Sequence, residues 1–426
     1  MSVNLIERQT ERPLSAKSGT SAAAYADESV ERSESQPAVF TAKPPFRPLT
    51  LLQPGRILFG NGCGADLIGQ LAQLGLKEVF VVTSTAVLST AETLLAALRA
   101  ADINVILYSG IDSEPTVATF SECLRAAQRQ PLDGVIGIGG GSAMDVAKLV
   151  AALADGTESI EQVFGINQLS ARSLFLACVP TTAGTGSEVS PNAILLDESC
   201  QLKKAVISPH LVPDVACVDP LLTLSVPPPV TAATGLDALT HCIEAYANLN
   251  AHPIVDLYAL QGVGLIAANL LAAIEDGENA DARANLALGS LYGGLCLGPV
   301  NTAAVHALAY PLGSEFNVAH GVSNAVLLPH VLRFNLEAAP GRYADIAIAL
   351  GIEPAETVKE TAERGIDALA ELVSRCPIPQ RVSDFGVPKE ALPHLARSAM
   401  TVTRLLKNNP RVVTEADAIN IYRAAY

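Results

Sequence analysis

Asp237 and His241 stand four residues apart in TGLDALTHCIEAY, a spacing that sets a carboxylate and an imidazole on one face of a helix, one turn apart. Downstream, VHALAYPLGSEFNVAHG carries His306 and His320. One carboxylate with three imidazoles suits a divalent transition metal such as Fe2+ or Zn2+, and imidazole serves either. The chain has seven histidines, so this set takes three of them. Spacing alone leaves a second reading open, in which these are core histidines satisfied by backbone carbonyls. Pro311 and Gly313 are expected to end the helix that carries His306, with His320 ahead of the next helical run.

A second kind of chemistry sits earlier. Asp133–Lys148 reads DGVIGIGGGSAMDVAK: a strand to Ile138, a turn of Gly139, Gly140 and Gly141, and a helix from Ser142. Asp145, three residues after Ser142, completes the pattern of a capping box. Glycines let a backbone approach a diphosphate, and the free N–H groups of a helix start bind its charge. The run departs from the G-x-G-x-x-G fingerprint because Ser142 takes its last position, and a plain strand-to-helix turn fits it as well. Pro180–Ser187, PTTAGTGS, follows the apolar run LFLACV and brings Thr181, Thr182, Thr185 and Ser187 to the carboxyl end of a strand. Ligands of open α/β sheets bind at that edge, and hydroxyls donate to phosphate, ribose or carboxamide without adding charge. An ordinary polar loop is the plainer alternative.

These residues need elements to position them. Val79–Thr83, Val105–Tyr108, Val135–Ile138 and Leu174–Val179 are short apolar runs that read as buried strands, and Ala91–Ala100 and Val117–Arg129 between them have helical periodicity. Strands alternating with helices imply a parallel sheet with right-handed crossovers. After Pro227-Pro228-Pro229 strand signals almost vanish, and Ala- and Leu-rich helical stretches run to Tyr426. The expected organisation is an extension over residues 1–45, an α/β domain over 46–220 carrying the glycine turn and an all-helical domain over 221–426 carrying the candidate metal ligands. The extension, rich in Ser, Ala and Glu, reads as a flexible tail.

Composition excludes several classes. The 426 residues are 49% hydrophobic and 17% charged, which rules out a disordered or solvating chain and calls for extensive burial or subunit contacts. A net charge of −15 argues against nucleic acid or an anionic membrane as partner. Eight cysteines without a C-x-x-C pair read as reduced thiols, so a cytoplasmic location is expected. Acidic residues such as Glu7, Glu11, Asp27 and Glu28, and the lack of a long apolar run, fit neither a secretory nor an organellar leader. Ala284–Ser314 is uncharged but interrupted by Gly, Pro, Asn and His, which reads as a buried segment of a large core.

Six segments together resemble the iron-containing (group III) alcohol dehydrogenase family: PGRILFGNGCGADL, GIGGGSAMDVAK, PTTAGTGSEVSPNAILLD, SPHLVPDVACVDP, TGLDALTHCIEAY and VHALAYPLGSEFNVAHGVSNAVLLPHV. They run in the family's order from about Pro54 to Asn335, and residues 1–45 lie outside the match. The resemblance implies an N-terminal dinucleotide-binding α/β domain, a C-terminal all-α domain and an active site in the cleft between them. It implies Asp237, His241, His306 and His320 as metal ligands. Gly139, Gly140, Gly141 and Ser142, with Asp145 beside them, would hold the cofactor diphosphate, and Thr181, Thr182 and Thr185 would lie near phosphate and nicotinamide. Lys203 matches a cofactor lysine, with Lys204 leaving the register open, and Leu222–Ser225 would close over the ribose.

Two departures from the family pattern matter. Many members carry histidine in place of Tyr310 and aspartate in place of Ser84. Tyr310, four residues after His306, becomes the candidate to carry the alcohol proton. Ser84 can hydrogen-bond a ribose without repelling a 2′-phosphate, so NAD is expected first, with NADP tolerated better than in aspartate-bearing relatives. The implied activity is hydride transfer between a nicotinamide cofactor and a small alcohol or aldehyde, in a homodimer or higher homo-oligomer. Hydroxy-acid-dehydrogenase-like and maleylacetate-reductase-like members share the fold. A lyase resembling dehydroquinate synthase is a further rival, but its phosphate- and carboxylate-bearing substrate demands cationic side chains, and Leu221–His330 contains only Arg283. A non-catalytic scaffold or filament subunit is the third class, disfavoured by the complete ligand set.

Overall fold

A computed structural model describes residues 47–200 and 202–426, so the expectation for residues 1–45 lies outside the described residues. The first part is built on nine strands: β1 (Arg56–Phe59), β2 (Glu78–Val82), β3 (Asn104–Tyr108), β4 (Gly134–Gly139), β5 (Gly165–Ile166), β6 (Phe175–Pro180), β7 (Asn192–Asp197), β8 (Leu202–Ile207) and β9 (Val215–Val218). Helices α1 (Gly64–Gln73), α2 (Leu88–Ala100), α3 (Val117–Ala127), α4 (Gly141–Leu153) and α5 (Ile160–Val163) lie between them. Six strands form an all-parallel sheet in the order β1-β9-β6-β4-β2-β3. In a strand successive side chains face opposite ways. Val79 and Val81 therefore pack with α1 and α2, while Phe80 and Val82 pack with α3 and α4. Both faces are covered, which is why these strands read as unbroken apolar runs. Each such valine contributes roughly 1.5–3 kcal/mol on burial.

The four strands and two helices expected from the sequence are present, with ends shifted by up to three residues. A smaller sheet, β5-β8-β7, escaped the periodicity: β7 and β8 pair antiparallel, and β8 is lysine-bearing and half-buried rather than apolar. It projects Lys203 toward the second half of the chain. The proposed capping box at α4 is absent. The helix begins at Gly141 with Gly140 as its N-cap and no side-chain cap. Asp145 instead accepts from Ser187 Oγ at 2.5 Å and from the Ile194 amide at 2.9 Å, tying α4 to the hydroxyl loop and to β7.

Beyond Val218 the described chain is helical: α6 (Pro228–Tyr246), α7 (Pro253–Glu275), α8 (Ala280–Leu297), α9 (Ala304–Phe316), α10 (His320–Asn335), α11 (Pro340–Ala349), α12 (Val358–Ser374), α13 (Leu392–Met400), α14 (Thr403–Leu406) and α15 (Glu415–Ala424). The architecture is thus an α/β domain followed by a largely helical one. Pro228 and Pro229 start α6, where a missing N–H costs nothing. That helix is buried on nearly every side from Thr231 to Tyr246 and forms the axis around which α7, α8 and α10 pack. Among the described helices α7 is long and apolar enough to cross a membrane, with mean hydropathy 1.8, and it packs against α6 and α8. The uncharged Ala284–Ser314 stretch is instead split between α8 and α9.

Pro311 does not end the helix that carries His306. α9 continues through it and closes at Asn317, whose left-handed φ of 55° lets its amide reach Gly313 O while the Val318 amide reaches Leu312 O. Buried Leu308, Ala309 and Leu312 hold the turn together across the proline. His320 is the first residue of α10 rather than a loop residue.

Candidate active site

Helix α6 carries Asp237 and His241 on one face, at the centre of the helical domain where both side chains are buried. α9 brings His306 from a second direction and the start of α10 brings His320. Close approach of α10 to α6 depends on Gly321, where a Cβ would stand 2.2 Å from Ala233 O. Asp237 Oδ1 lies 3.9 Å from His241 Nε2, 3.6 Å from His306 Nε2 and 3.8 Å from His320 Nε2. The donor atoms of Asp237, His241 and His306 all fall within 4.8 Å of one another. All four residues named from the sequence therefore converge on one point.

Glu244, one further turn along α6, was not singled out from the sequence. Its Oε2 accepts from His306 Nδ1 at 2.6 Å and its Oε1 accepts from the Val305 amide, at the start of α9, at 2.6 Å. With Nδ1 donating, His306 turns the lone pair of Nε2 inward. Asn324, four residues after His320, places Nδ2 2.7 Å from Asp237 Oδ1, 3.2 Å from His306 Nε2 and 3.3 Å from His320 Nε2. An amide nitrogen has two protons for these three acceptors. A dipositive cation meets such a donor set better, so the residues fit a metal.

The electrostatics agree. Burial raises the Asp237 carboxyl, but the three imidazoles outweigh it and hold its pKa well below the ordinary range. Burial pushes His241 down to about 4, which keeps it a neutral ligand. His320, a third of whose side chain faces the cavity, is pushed down by desolvation, with the Lys203 ammonium adding to the effect. Burial would lower His306 too, yet Glu244 and Asp237 prevail and raise it to about 10, so its Nε2 holds a proton that a bound cation would displace to gain the lone pair. The pair of carboxylates draws positive charge to this point.

One cavity joins this cluster to the glycine turn. Gly141, Ser142, Asp145, Thr185 and Lys203 line it from the α/β side, and Asp237, His241, His306, Tyr310 and His320 from the helical side. Gly139 and Gly140 lie immediately before it on the β4–α4 turn, while Thr181 donates its amide to Gly139 O at 2.9 Å. The buried hydroxyls of Thr182 and Thr83, at the carboxyl ends of β6 and β2, have no hydrogen-bond partner among the described residues. Unpaired buried hydroxyls beside an uncapped helix start fit a dinucleotide.

Like Gly139, Gly140, Thr181 and Thr182, three further named residues are not in the cavity wall. Leu222 packs against the sheet core near α1 and α2, and Ser225 Oγ lies 3.0 Å from Thr90 Oγ1. Ser84 follows β2 and bridges to Gly110. Beside it Asp112 Oδ1 accepts from both the amide and the hydroxyl of Thr85, each at 2.7 Å, so this edge does carry a carboxylate. Lys203 lines the cavity in an ion pair with Glu114, whereas Lys204 pairs with Asp197 at 2.6 Å.

Contrary to the expectation drawn from Leu221–His330, the cavity wall does carry cationic side chains. Arg283 is spent on Gly277 O, Thr231 Oγ1 and Val226 O, away from the cavity. Arg404, far outside the stretch considered, lines the cavity and donates to Tyr310 Oη at 3.0 Å. For Glu244 and Asn324 the sequence held a signal, the helical offsets from His241 and His320. For Arg404 it held none, because only the packing of α14 on α9 brings it in.

Comparison with known proteins accounts for both halves. The model described as iron-containing alcohol dehydrogenase matches residues 54–220, and that of the Fe-containing alcohol dehydrogenase family, C-terminal, matches residues 231–426. Long-chain-alcohol dehydrogenase 1 of Geobacillus thermodenitrificans is 39% identical over 373 residues, covering 86% of this chain and 94% of that protein. A solved structure of 1,3-propanediol oxidoreductase superposes with a TM-score of 0.86 at 34% identity, over 89% of this chain and 100% of that one. Sulfoacetaldehyde reductase from Bifidobacterium kashiwanohense, solved in complex with NAD+, gives a TM-score of 0.80 at 28% identity over 89% and 99%. The parallel sheet with its glycine turn, the helical domain with its Asp–His cluster and these matches agree: the chain belongs to the iron-containing alcohol dehydrogenase family, as an NAD(P)-dependent oxidoreductase of alcohols and aldehydes.

Proposed function

We propose that the cavity between the glycine turn and the Asp–His cluster is the active site, with Asp237, His241, His306 and His320 holding Fe2+ or Zn2+ and the β4–α4 turn holding NAD. The observation that carries this reading is the continuity of one cavity from Gly141 to His320. The bound cation supplies Lewis acidity toward an alcohol or aldehyde oxygen, and the nicotinamide accepts or delivers hydride. Glu244 holds His306 in one tautomer. Gly139, Gly140, Gly141 and Ser142 offer backbone N–H groups and close approach to a diphosphate, and Asp145 holds the α4 start against the hydroxyl loop. Thr181, Thr182 and Thr185 present hydroxyls toward phosphate or nicotinamide, and Lys203 stands between the two ends. Tyr310 Oη, accepting from Arg404, keeps its own proton free for exchange with the substrate oxygen or water.

NAD is the expected dinucleotide, since Ser84 adds no positive charge and Asp112 stands beside it. Seven of the eight free cysteines are buried, which supports a reducing, cytoplasmic setting. A homo-oligomeric state is proposed on composition, because 17% charged residues leave much apolar surface to cover.

His306→Ala and His320→Ala test the assignment. Each should fold, lose bound metal on dialysis and lose nearly all turnover, because three ligands hold a cation far less tightly than four. One metal per subunit and near-normal kcat in either variant would overturn it.

A further inference from the structure

The wall of the cavity opposite the glycine turn carries a guanidinium with unspent donors. Arg404, on the short helix α14, is half-buried and lines the cavity together with Tyr310 and Lys203. Of its five N–H donors the structure assigns one, from Nη2 to Tyr310 Oη at 3.0 Å. Among the described residues no carboxylate pairs with it, whereas Arg172, Arg333, Arg342 and Arg364 each meet an Asp or Glu. Two acids that line the same cavity surfaces as Arg404 are committed elsewhere. Glu114 pairs with Lys203, and Glu315 accepts from Ser398 and lies 3.0 Å from His394 Nε2. A planar guanidinium withdrawn from water selects a planar oxyanion that takes two N–H bonds at once.

The distances set the length of such a ligand. The Tyr310 ring centroid is 5.9 Å from the His320 ring and 5.9 Å from Arg404 Cζ. One aromatic ring therefore lies between the guanidinium and the His320 side of the ligand cluster, so a ligand that touches both ends is a short one. Lys203 Nζ, 5.6 Å from the same ring centroid, is neutralised by Glu114, which leaves Arg404 as the unpaired cation of this wall.

We propose that Arg404 binds a carboxylate of the substrate, and that the substrate class is a short hydroxy acid or the corresponding aldehyde acid, with the reacting carbon a few bonds from the carboxylate. This rests on the reading of the cavity as the active site. In the oxidative direction the C–H bond of the carbinol carbon breaks and its electron pair leaves as hydride for NAD. The hydroxyl proton passes to water, and the carboxylate on Arg404 is unchanged. The products are the oxo acid, NADH and one proton.

The test compares 3-hydroxypropanoate with propane-1,3-diol, which differ only in the terminal group. On the metal-loaded full chain, calorimetric affinity and kcat/KM with NAD are measured for the wild type, Arg404→Gln and Arg404→Lys. The wild type should prefer the anion at least tenfold in both measures. Arg404→Gln should remove most of that preference, chiefly through KM, and Arg404→Lys should restore part of it. Equal or weaker use of the anion by the wild type would overturn the proposal, as would a preference that Arg404→Gln leaves in place. The wild-type comparison decides the matter even if a variant fails to fold. Anion binding that depends on Arg404 without turnover of either compound would keep the anion site and remove the oxidoreductase reading of the cavity.

Discussion

Glu244 decides which nitrogen of His306 faces the cavity, and the same carboxylate anchors the Val305 amide at the start of α9. Glu244→Gln keeps the shape but weakens the acceptor, so metal affinity should fall about 10- to 100-fold. Competition against a chelator measures this, and an unchanged affinity would show that packing alone orients the imidazole. Near Ser84 the relevant charge comes from Asp112, held by Thr85. Asp112→Asn should lower the NAD-to-NADP ratio of kcat/KM, roughly tenfold or about 1.4 kcal/mol, while Ser84→Asp should raise it. If the ratio moves only with Ser84→Asp, Asp112 does not face the ribose.

At the scale of elements the joint between sheet and helices is a contact of two backbones. Gly186, in the hydroxyl loop, has φ of +62°, and a Cβ there would stand 2.2 Å from Gly294 Cα of α8. No side chain fits on either partner, and this contact presses the loop bearing Thr182 and Thr185 onto the helical domain. Gly186→Ala should destabilise the fold by about 3 kcal/mol, from overpacking and from strain at positive φ. Denaturant unfolding reads the change. A loss under about 0.5 kcal/mol, no more than an ordinary surface substitution, would mean the loop can lift off α8 at little cost. Cofactor affinity should fall in the same variant because the loop and the β4–α4 turn share the Asp145–Ser187 hydrogen bond.

Over the whole molecule, buried ionisable groups make stability depend on pH. Glu188 is 3% exposed, and burial raises its carboxyl from 4.5 to about 7. A raised acid binds its proton more tightly folded than unfolded. Its contribution is therefore fully present below about pH 4.5 and is lost as pH rises through 7. The difference in unfolding free energy between wild type and Glu188→Gln should shift by roughly 3 kcal/mol between pH 4.5 and 8, to the disadvantage of the wild type at pH 8. A difference flat across that range would mean the folded protein solvates this carboxylate.

Local chemistry made much of the site legible in the chain itself. Apolar runs such as VFVVT read as buried strands, the glycine run as a strand-to-helix turn, and Asp237 and His241 share a helix face by the 3.6-residue period alone. His306 and His320 could be named by type and by resemblance. Their meeting point with α6 depends on helix packing through Gly321, which no spacing encodes. Tertiary structure also decided against local rules. Pro311 sits inside α9 because buried contacts outweigh one lost hydrogen bond, and Asp145 abandons the helix cap for Ser187 and the Ile194 amide. Arg404 enters the cavity from 94 residues beyond Tyr310. Periodicity reports a residue's own element and face, whereas a site assembled from four helices and a sheet edge exists only after those elements pack.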